Sequence, residues 1–322
     1  MQKALDVITI GEAMAMFVAT ETGELSAVEY FIKRVAGAEL NVATGLARLG
    51  LNVGWVSRVG NDSFGHFVLD SLKKEGIDAA GVTLDGRFPT GFQLKSKVEN
   101  GTDPIVEYFR KGSAASHLSV DDYHAAYFSS ARHLHLSGVA AALSTSSYDL
   151  LDHAASAMKA QGKTISFDPN LREPLWNSLD EAKEQVLYGL GLCDILKISD
   201  NEIQWLTGEE DFTKGVHWIL ERYHIPLILV SMGKEGSRAY YKDLIVEVKP
   251  FIQKNTIETT GAGDTFCACV LHYILEHGLT NLTENDLKEM LTFANAAASI
   301  ITTRKGALCV MPEREEVEKL LS

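Results

Sequence analysis

Hydrophobic and polar positions along the chain change period repeatedly, from two to about 3.6 and back. "DVITIGE" is a short apolar run stopped by Gly11 and Glu12, and predicts a strand. "GAELNVATGLARLG" collects Ala, Val and Leu on one helical face, with Gly50 as its stop signal. The same alternation continues through the strand "VGWVSRVG", the helix "FGHFVLDSLKKEG", the strand "HLHLSGV" and the helix "SSYDLLDHAASAMKAQG". It resumes with "TISFDPN", the helix "LDEAKEQVLYGL", "ILKIS", the helix "NEIQWLTG", and the strands "LILVSMG" and "GSRAYYK". A glycine-rich stretch then opens a long helix. Strands separated by helices imply parallel βαβ units and a layered α/β domain.

Two stretches break the rhythm. "YFIKRVAG" and "TGFQLKSKVENGTDPIVEYFRKG" alternate over short spans with no helix between, which predicts antiparallel strands projecting from the main sheet. A small lid of this kind excludes water from a transfer reaction; an edge hairpin with no catalytic part is the plainer alternative.

Composition narrows the classes. The 322 residues suffice to bury a large core, and 46% hydrophobic with 23% charged residues are globular values. A net charge of −13 argues against broad binding to nucleic acid or anionic membrane, while leaving room for a local basic pocket. No apolar run approaches the ~20 residues of a membrane span, and the N-terminus reads as a strand rather than a signal peptide. Cys193, Cys267, Cys269 and Cys309 read as buried thiols in a reducing cytoplasm.

The chemistry concentrates in "TIETTGAGDTFCA". Glycines at a turn into a helix let successive N–H groups converge, and the helix N-terminus adds positive potential. Such a cradle suits a phosphoryl group in transfer. Asp264 is the residue type that accepts a proton from an attacking hydroxyl, although an aspartate here could merely cap the helix. A G-x-x-x-x-G-K-[ST] loop is absent, and Phe266 stands where a dinucleotide fingerprint needs a small residue.

"ETTGAGDTF" resembles the C-terminal signature of the ribokinase-like (PfkB) carbohydrate kinases. "AGAELNVATGLARLG" and "VGNDSFGHFVLDSLKKEGID" resemble the same family's N-terminal segments, so the likeness runs the length of the chain. It implies a single domain over 1–322: a ribokinase-like three-layer α/β sandwich with a mainly parallel central sheet. A small β-strand lid would come from segments near 12–36 and 87–117. It also implies an ATP-dependent sugar kinase using Mg²⁺, and a homodimer formed through the lid strands.

Carried over by position, Asp264 takes the catalytic base, and Gly261, Ala262 and Gly263 the anion hole. Gly37 and Asn41 match sugar contacts, with Ala36 in place of the usual first glycine. Ser199 and Glu202 stand at the family's N-x-x-E, where Glu202 orients water around Mg²⁺. Glu258 replaces an Asp that in relatives helps to place a monovalent cation such as K⁺. Ser231, Gly233 and Gly236 match the loop near the nucleotide phosphates and ribose, and Asn295 lies where relatives place a residue beside adenine.

"EYFRKGSAASHLS" and "SFDPNLREPLW" resemble the 2-keto-3-deoxygluconate kinase branch, and fructokinases to a lesser degree. Arg110 and Arg172 suit a sugar-acid carboxylate, because an arginine fork grips a carboxylate with two parallel hydrogen bonds. Tyr108 shares a strand face with Arg110, and Lys111 points away. Gln93 stands where this branch often carries Tyr. Met16 replaces a fructokinase Asp, removing a negative charge that would repel a sugar acid. A non-catalytic sugar or nucleotide sensor on the same fold is the reading from another class; retention of Asp264 and the glycines speaks against it.

Overall fold

The computed structural model describes residues 4–98, 104–304 and 311–322. Cys309 lies outside them; Cys193, Cys267 and Cys269 are buried free thiols, as expected.

Thirteen strands are found among the described residues: β1 (Leu5–Ile10), β2 (Met14–Ala19), β3 (Phe31–Ala36), β4 (Val53–Gly60), β5 (Asp78–Asp85), β6 (Phe92–Lys95) and β7 (Val106–Phe109), followed by β8 (Ala131–Ser137), β9 (Thr164–Asp168), β10 (Ile195–Ser199), β11 (Leu227–Ser231), β12 (Ser237–Tyr241) and β13 (Leu244–Val248). Nine form one sheet in the order β13-β12-β11-β10-β9-β8-β1-β4-β5; four form a smaller sheet in the order β3-β2-β6-β7. The large sheet is parallel from β11 to β5.

The sheet is mainly parallel, as expected; at one edge β12 and β13 run antiparallel. A two-residue loop joins them, with Lys242 at φ 51, the positive value that primed hairpin turns require. Several elements carried too weak a pattern to be anticipated: β2, β5, β13 and the helices Phe212–Tyr223 and Arg314–Leu321.

Strand alternation divides the core in two. Val7, Ile195, Leu227 and Leu229 face the helices Ala38–Arg48, Ala262–His277 and Glu284–Ile301. Ile8, Leu196, Ile228 and Val230 face the helices Thr145–Ala160, Leu179–Leu192 and Phe212–Tyr223. Burying each set against its helices produces the three-layer α/β sandwich. Among the described residues no helix is long and apolar enough to cross a membrane.

On the face beneath Ala262–His277 the sheet carries polar side chains. His133 Nδ1 bonds the Thr164 hydroxyl at 2.7 Å; Ser166 Oγ lies 2.8 Å from both His133 Nε2 and His135 Nδ1. Burial holds both imidazoles neutral, with pKa values pulled down to about 3.

The small sheet lies within the two expected segments. One face is aromatic: Phe17 and Phe92 pack with Phe64 of the helix Ser63–Lys74, and Phe92 stacks on Phe109. Met16, Gln93, Tyr108 and Arg34 line up across the opposite face by register.

Candidate active site

The chain lays down β1, β4 and β5 in one direction from β1, then β8 to β11 in the other. Between β1 and β8 is therefore a topological switch point, where open α/β sheets place ligands outside the strands' carboxyl ends. Glu12 follows β1 there, and Ser137, Asp168 and Ser199 end their strands.

Gly261 caps the helix Ala262–His277 in a left-handed conformation, φ 83, that a side chain would strain. Thr265 N–H and hydroxyl both donate to the Gly261 carbonyl at 2.9 Å, fixing the turn. Ala262 N–H donates to the Thr259 carbonyl at 3.1 Å. Of the three amides expected to form an anion cradle, that of Ala262 is engaged within the turn itself.

Asp264 stands in the first turn of this helix. Asn41 Nδ2 donates to its Oδ2 at 2.7 Å, and Asn170 Nδ2 approaches Oδ1 at 3.4 Å. Residues 223 apart in sequence, one from each sequence signature, thus meet at one carboxylate. Burial raises the Asp264 pKa; the Asn41 bond and the charges of Lys197 and Arg172 partly offset it. Asn41 is aimed by Gly37, whose carbonyl accepts the Asn41 N–H at 2.8 Å. A Cβ on Gly37 would collide with the Glu12 carbonyl, so glycine is required by close approach.

Three groups at this edge escaped the sequence reading. Lys197 Nζ lies 3.0 Å from Asp168 and 3.4 Å from where a Cβ on Gly263 would stand. Burial pulls the ammonium down, but Asp168 and Glu202 outweigh it and its pKa rises. Burial pushes Asp168 up to about 6, with Lys197 opposing. The available signal was a lone charge inside the apolar run "ILKIS". Glu39 is fully buried in the first turn of Ala38–Arg48, and burial pushes its carboxyl up to about 7. Glu12 is the third, and it bears on Arg110.

Arg110 directs Nε (2.6 Å) and Nη2 (2.5 Å) at Glu12 Oε2, while Ser113 donates to Glu12 Oε1 at 2.5 Å. The guanidinium fork assigned to a substrate carboxylate is thus held by Glu12. Its carbon sits 5.9 Å from the Tyr108 ring centre, so the two do share a side, although Tyr108 is half exposed. Gln93 is buried beside Met16 in register. Arg172 is exposed after β9, and its charge acts on Asp264.

Of the residues expected near the nucleotide, Ser199 and Ser231 are register partners at the ends of β10 and β11. Gly233 and Gly236 both have positive φ in the turn that follows, closed by Met232 N–H to the Gly236 carbonyl at 2.9 Å. Ser199 and Glu202 form a capping box. Glu202 Oε2 accepts from Ser199 N–H and hydroxyl at 2.8 and 2.7 Å, and Oε1 accepts from Leu171 N–H at 2.7 Å. Burial alone would raise its pKa, but Lys197 and these bonds lower it. Asn295 donates to the Val248 and Lys249 carbonyls at 3.1 and 3.2 Å, so its amide group ties helix to sheet.

Glu258 meets a cation of the protein's own: Lys95 Nζ lies 2.8 Å from its Oε1. Among the described residues, no group of three or more His, Cys, Asp or Glu is arranged to hold a metal ion.

A three-layer α/β sandwich with a second, small sheet is the fold of solved sugar kinases. The chain belongs to the pfkB family of carbohydrate kinases, whose profile matches residues 4–314. It is 40% identical to the 2-dehydro-3-deoxygluconokinase of Bacillus subtilis (strain 168), covering 99% of this chain and 96% of that one. It is 33% identical to the probable fructokinase-4 of Arabidopsis thaliana, over 98% and 96% of the two chains. A fructokinase from Vibrio cholerae O395, solved with fructose, ADP and calcium bound, superposes with a TM-score of 0.85 at 27% identity, covering 99% of this chain and all of that one.

Proposed function

We propose that this kinase transfers the γ-phosphoryl group of ATP to the terminal hydroxyl of 2-keto-3-deoxygluconate, giving the 6-phosphate and ADP. The observation that supports the catalytic part is the Asn41–Asp264 hydrogen bond of 2.7 Å, which orients a buried carboxylate in the helical turn that follows Gly261. Asp264 removes the hydroxyl proton as the oxygen attacks the γ-phosphorus and the bond to the β-phosphate oxygen breaks. Its raised pKa makes it a stronger base than a surface carboxylate. The Gly261 and Gly263 amides and Lys197 face the charge that builds on the transferring oxygens.

Mg²⁺ bound to the nucleotide phosphates would neutralise their charge. The donors fit an ion that keeps its waters: Glu202 Oε1 accepts one hydrogen bond and retains a lone pair for water, with Asp168 near it. Ser231, Gly233 and Gly236 border the space for the nucleotide. The small sheet serves as a lid over the sugar, and its open edges β3 and β7, with exposed Tyr30, Ile32 and Phe109, suit pairing with a second copy.

The keto-acid substrate rests on the 40% identity to the Bacillus enzyme, on Met16 in place of a carboxylate, and on Arg172. Fructose is the second reading, favoured by the engagement of Arg110 with Glu12. A coupled ADP-release assay over a panel of sugars and sugar acids decides between them. At least ~10-fold higher kcat/KM on 2-keto-3-deoxygluconate than on fructose is expected, about 1.4 kcal/mol of discrimination. Equal rates would overturn the ranking, and no ADP release with any sugar would favour a sensor.

A further inference from the structure

Lys95 is in the small sheet, yet its ammonium belongs to the phosphate-binding turn. Its side chain is 2% exposed; Nζ donates to Glu258 Oε1 at 2.8 Å and to Thr260 Oγ1 at 3.0 Å. Glu258 is 6% exposed, and the two residues are 163 apart in sequence. From the other side, Ile257 and Glu258 N–H both donate to the Thr302 carbonyl, at 2.8 and 3.3 Å, at the end of the helix Glu284–Ile301. The segment leading into Gly261 is therefore clamped between a helix terminus and a lysine from the small sheet.

A buried carboxylate requires a partner of opposite charge, and Glu258 has one inside the protein. A free monovalent cation at the same oxygen would sit beside the ammonium, with like charges together in a desolvated place. At this oxygen Glu258 does not fit an additional cation. We propose that Lys95 is a positioning residue that acts as a tethered internal cation. It holds Glu258 and Thr260 so that the Gly261 and Gly263 amides face the transferring phosphoryl group, in place of a free monovalent ion.

Two consequences follow from the geometry. Turnover is insensitive to the identity of the monovalent salt, because the charge is covalently attached. Loss of Lys95 impairs kcat more than sugar KM, because the group acts on the turn and not on the sugar.

The inference rests on the reading of Gly261–Asp264 as the transfer centre, so Asp264→Asn is assayed in parallel. Wild type, Lys95→Met and Lys95→Arg are compared on whichever sugar the wild type phosphorylates best, in KCl and in choline chloride at equal ionic strength. Melting temperature is followed in both salts. Wild-type kcat and melting temperature are expected to change less than about two-fold and ~1 °C, respectively, between salts. Lys95→Met should lose about 50-fold or more in kcat, with sugar KM changing less than about five-fold. It should then gain activity and melting temperature in KCl, as the released carboxylate takes up K⁺. Lys95→Arg should retain about a tenth or more of wild-type kcat.

A wild-type enzyme activated about ten-fold by K⁺ overturns the proposal, and this arm holds even if the methionine variant fails to fold. So does Lys95→Met with wild-type kcat. An inactive Asp264→Asn beside a fully active Lys95→Met overturns the Lys95 role alone. An active Asp264→Asn overturns it together with the reading of the turn.

Discussion

Two buried lysines approach the Gly261–Asp264 turn from different sheets, and the contrast between them separates what is permanent in this site from what is conditional. Lys197 lies inside β10, hydrogen-bonded to β9 on one side and β11 on the other, and pairs with Asp168 at the end of the neighbouring strand. Moving it means breaking the centre of the large sheet. Lys95 pairs equally closely with Glu258, but it comes from a four-stranded sheet with two open edges, held to the body by the Phe64 cluster and the Arg110–Glu12 pair. The first pair is part of the scaffold. The second ties the small sheet to the segment that leads into Gly261.

The sharpest test of what both lysines serve is Asp264→Asn, which keeps shape and removes the proposed base. Turnover should fall about 10³-fold with ADP affinity within about three-fold of wild type, measured by steady-state kinetics and calorimetry. Near-normal turnover would leave the two lysines without a common centre.

Lys197→Met comes next. It strands Asp168 in the interior and should cost about 3 kcal/mol in urea unfolding, besides lowering kcat by about 10². Lys95→Met should cost only about 1 kcal/mol, because water can reach Glu258 once the small sheet shifts. Equal losses would break the distinction between scaffold and clamp.

The smallest effect is a shift in pH dependence. Burial holds the Asp264 pKa above its ordinary 3.8, and the Asn41 hydrogen bond pulls against that rise. The proposed base acts in its ionised form, so kcat/KM should fall as pH drops through this raised value. Asn41→Ala removes a bond to the charged form, so the acid limb should move to higher pH, as read from a kcat/KM profile. A limb that stays in place or moves lower would detach Asn41 from the base.

Much of this was legible in local sequence. "ILKIS" coincides with β10 because apolar runs bounded by turn residues form buried strands wherever the topology puts them. The turn at Gly261 was readable because positive φ is a local demand that glycine meets. β13 and β5 were not readable: both sit at sheet edges, where half of each strand faces solvent and the alternation weakens. Arg110 showed the limit for side chains. Its type suits a carboxylate, and local sequence could not say that Glu12, 98 residues earlier, would supply one.

The sequence by itself determined the alternation of strands and helices, the glycine turn into the helix and the position of the candidate base, since these depend on neighbours within a few residues. Tertiary structure alone decided which charges meet: Asn41 with Asp264, Lys197 with Asp168, Lys95 with Glu258. Such pairs form because the order of strands and the seating of the small sheet bring distant segments into a place too dry for an unpaired charge.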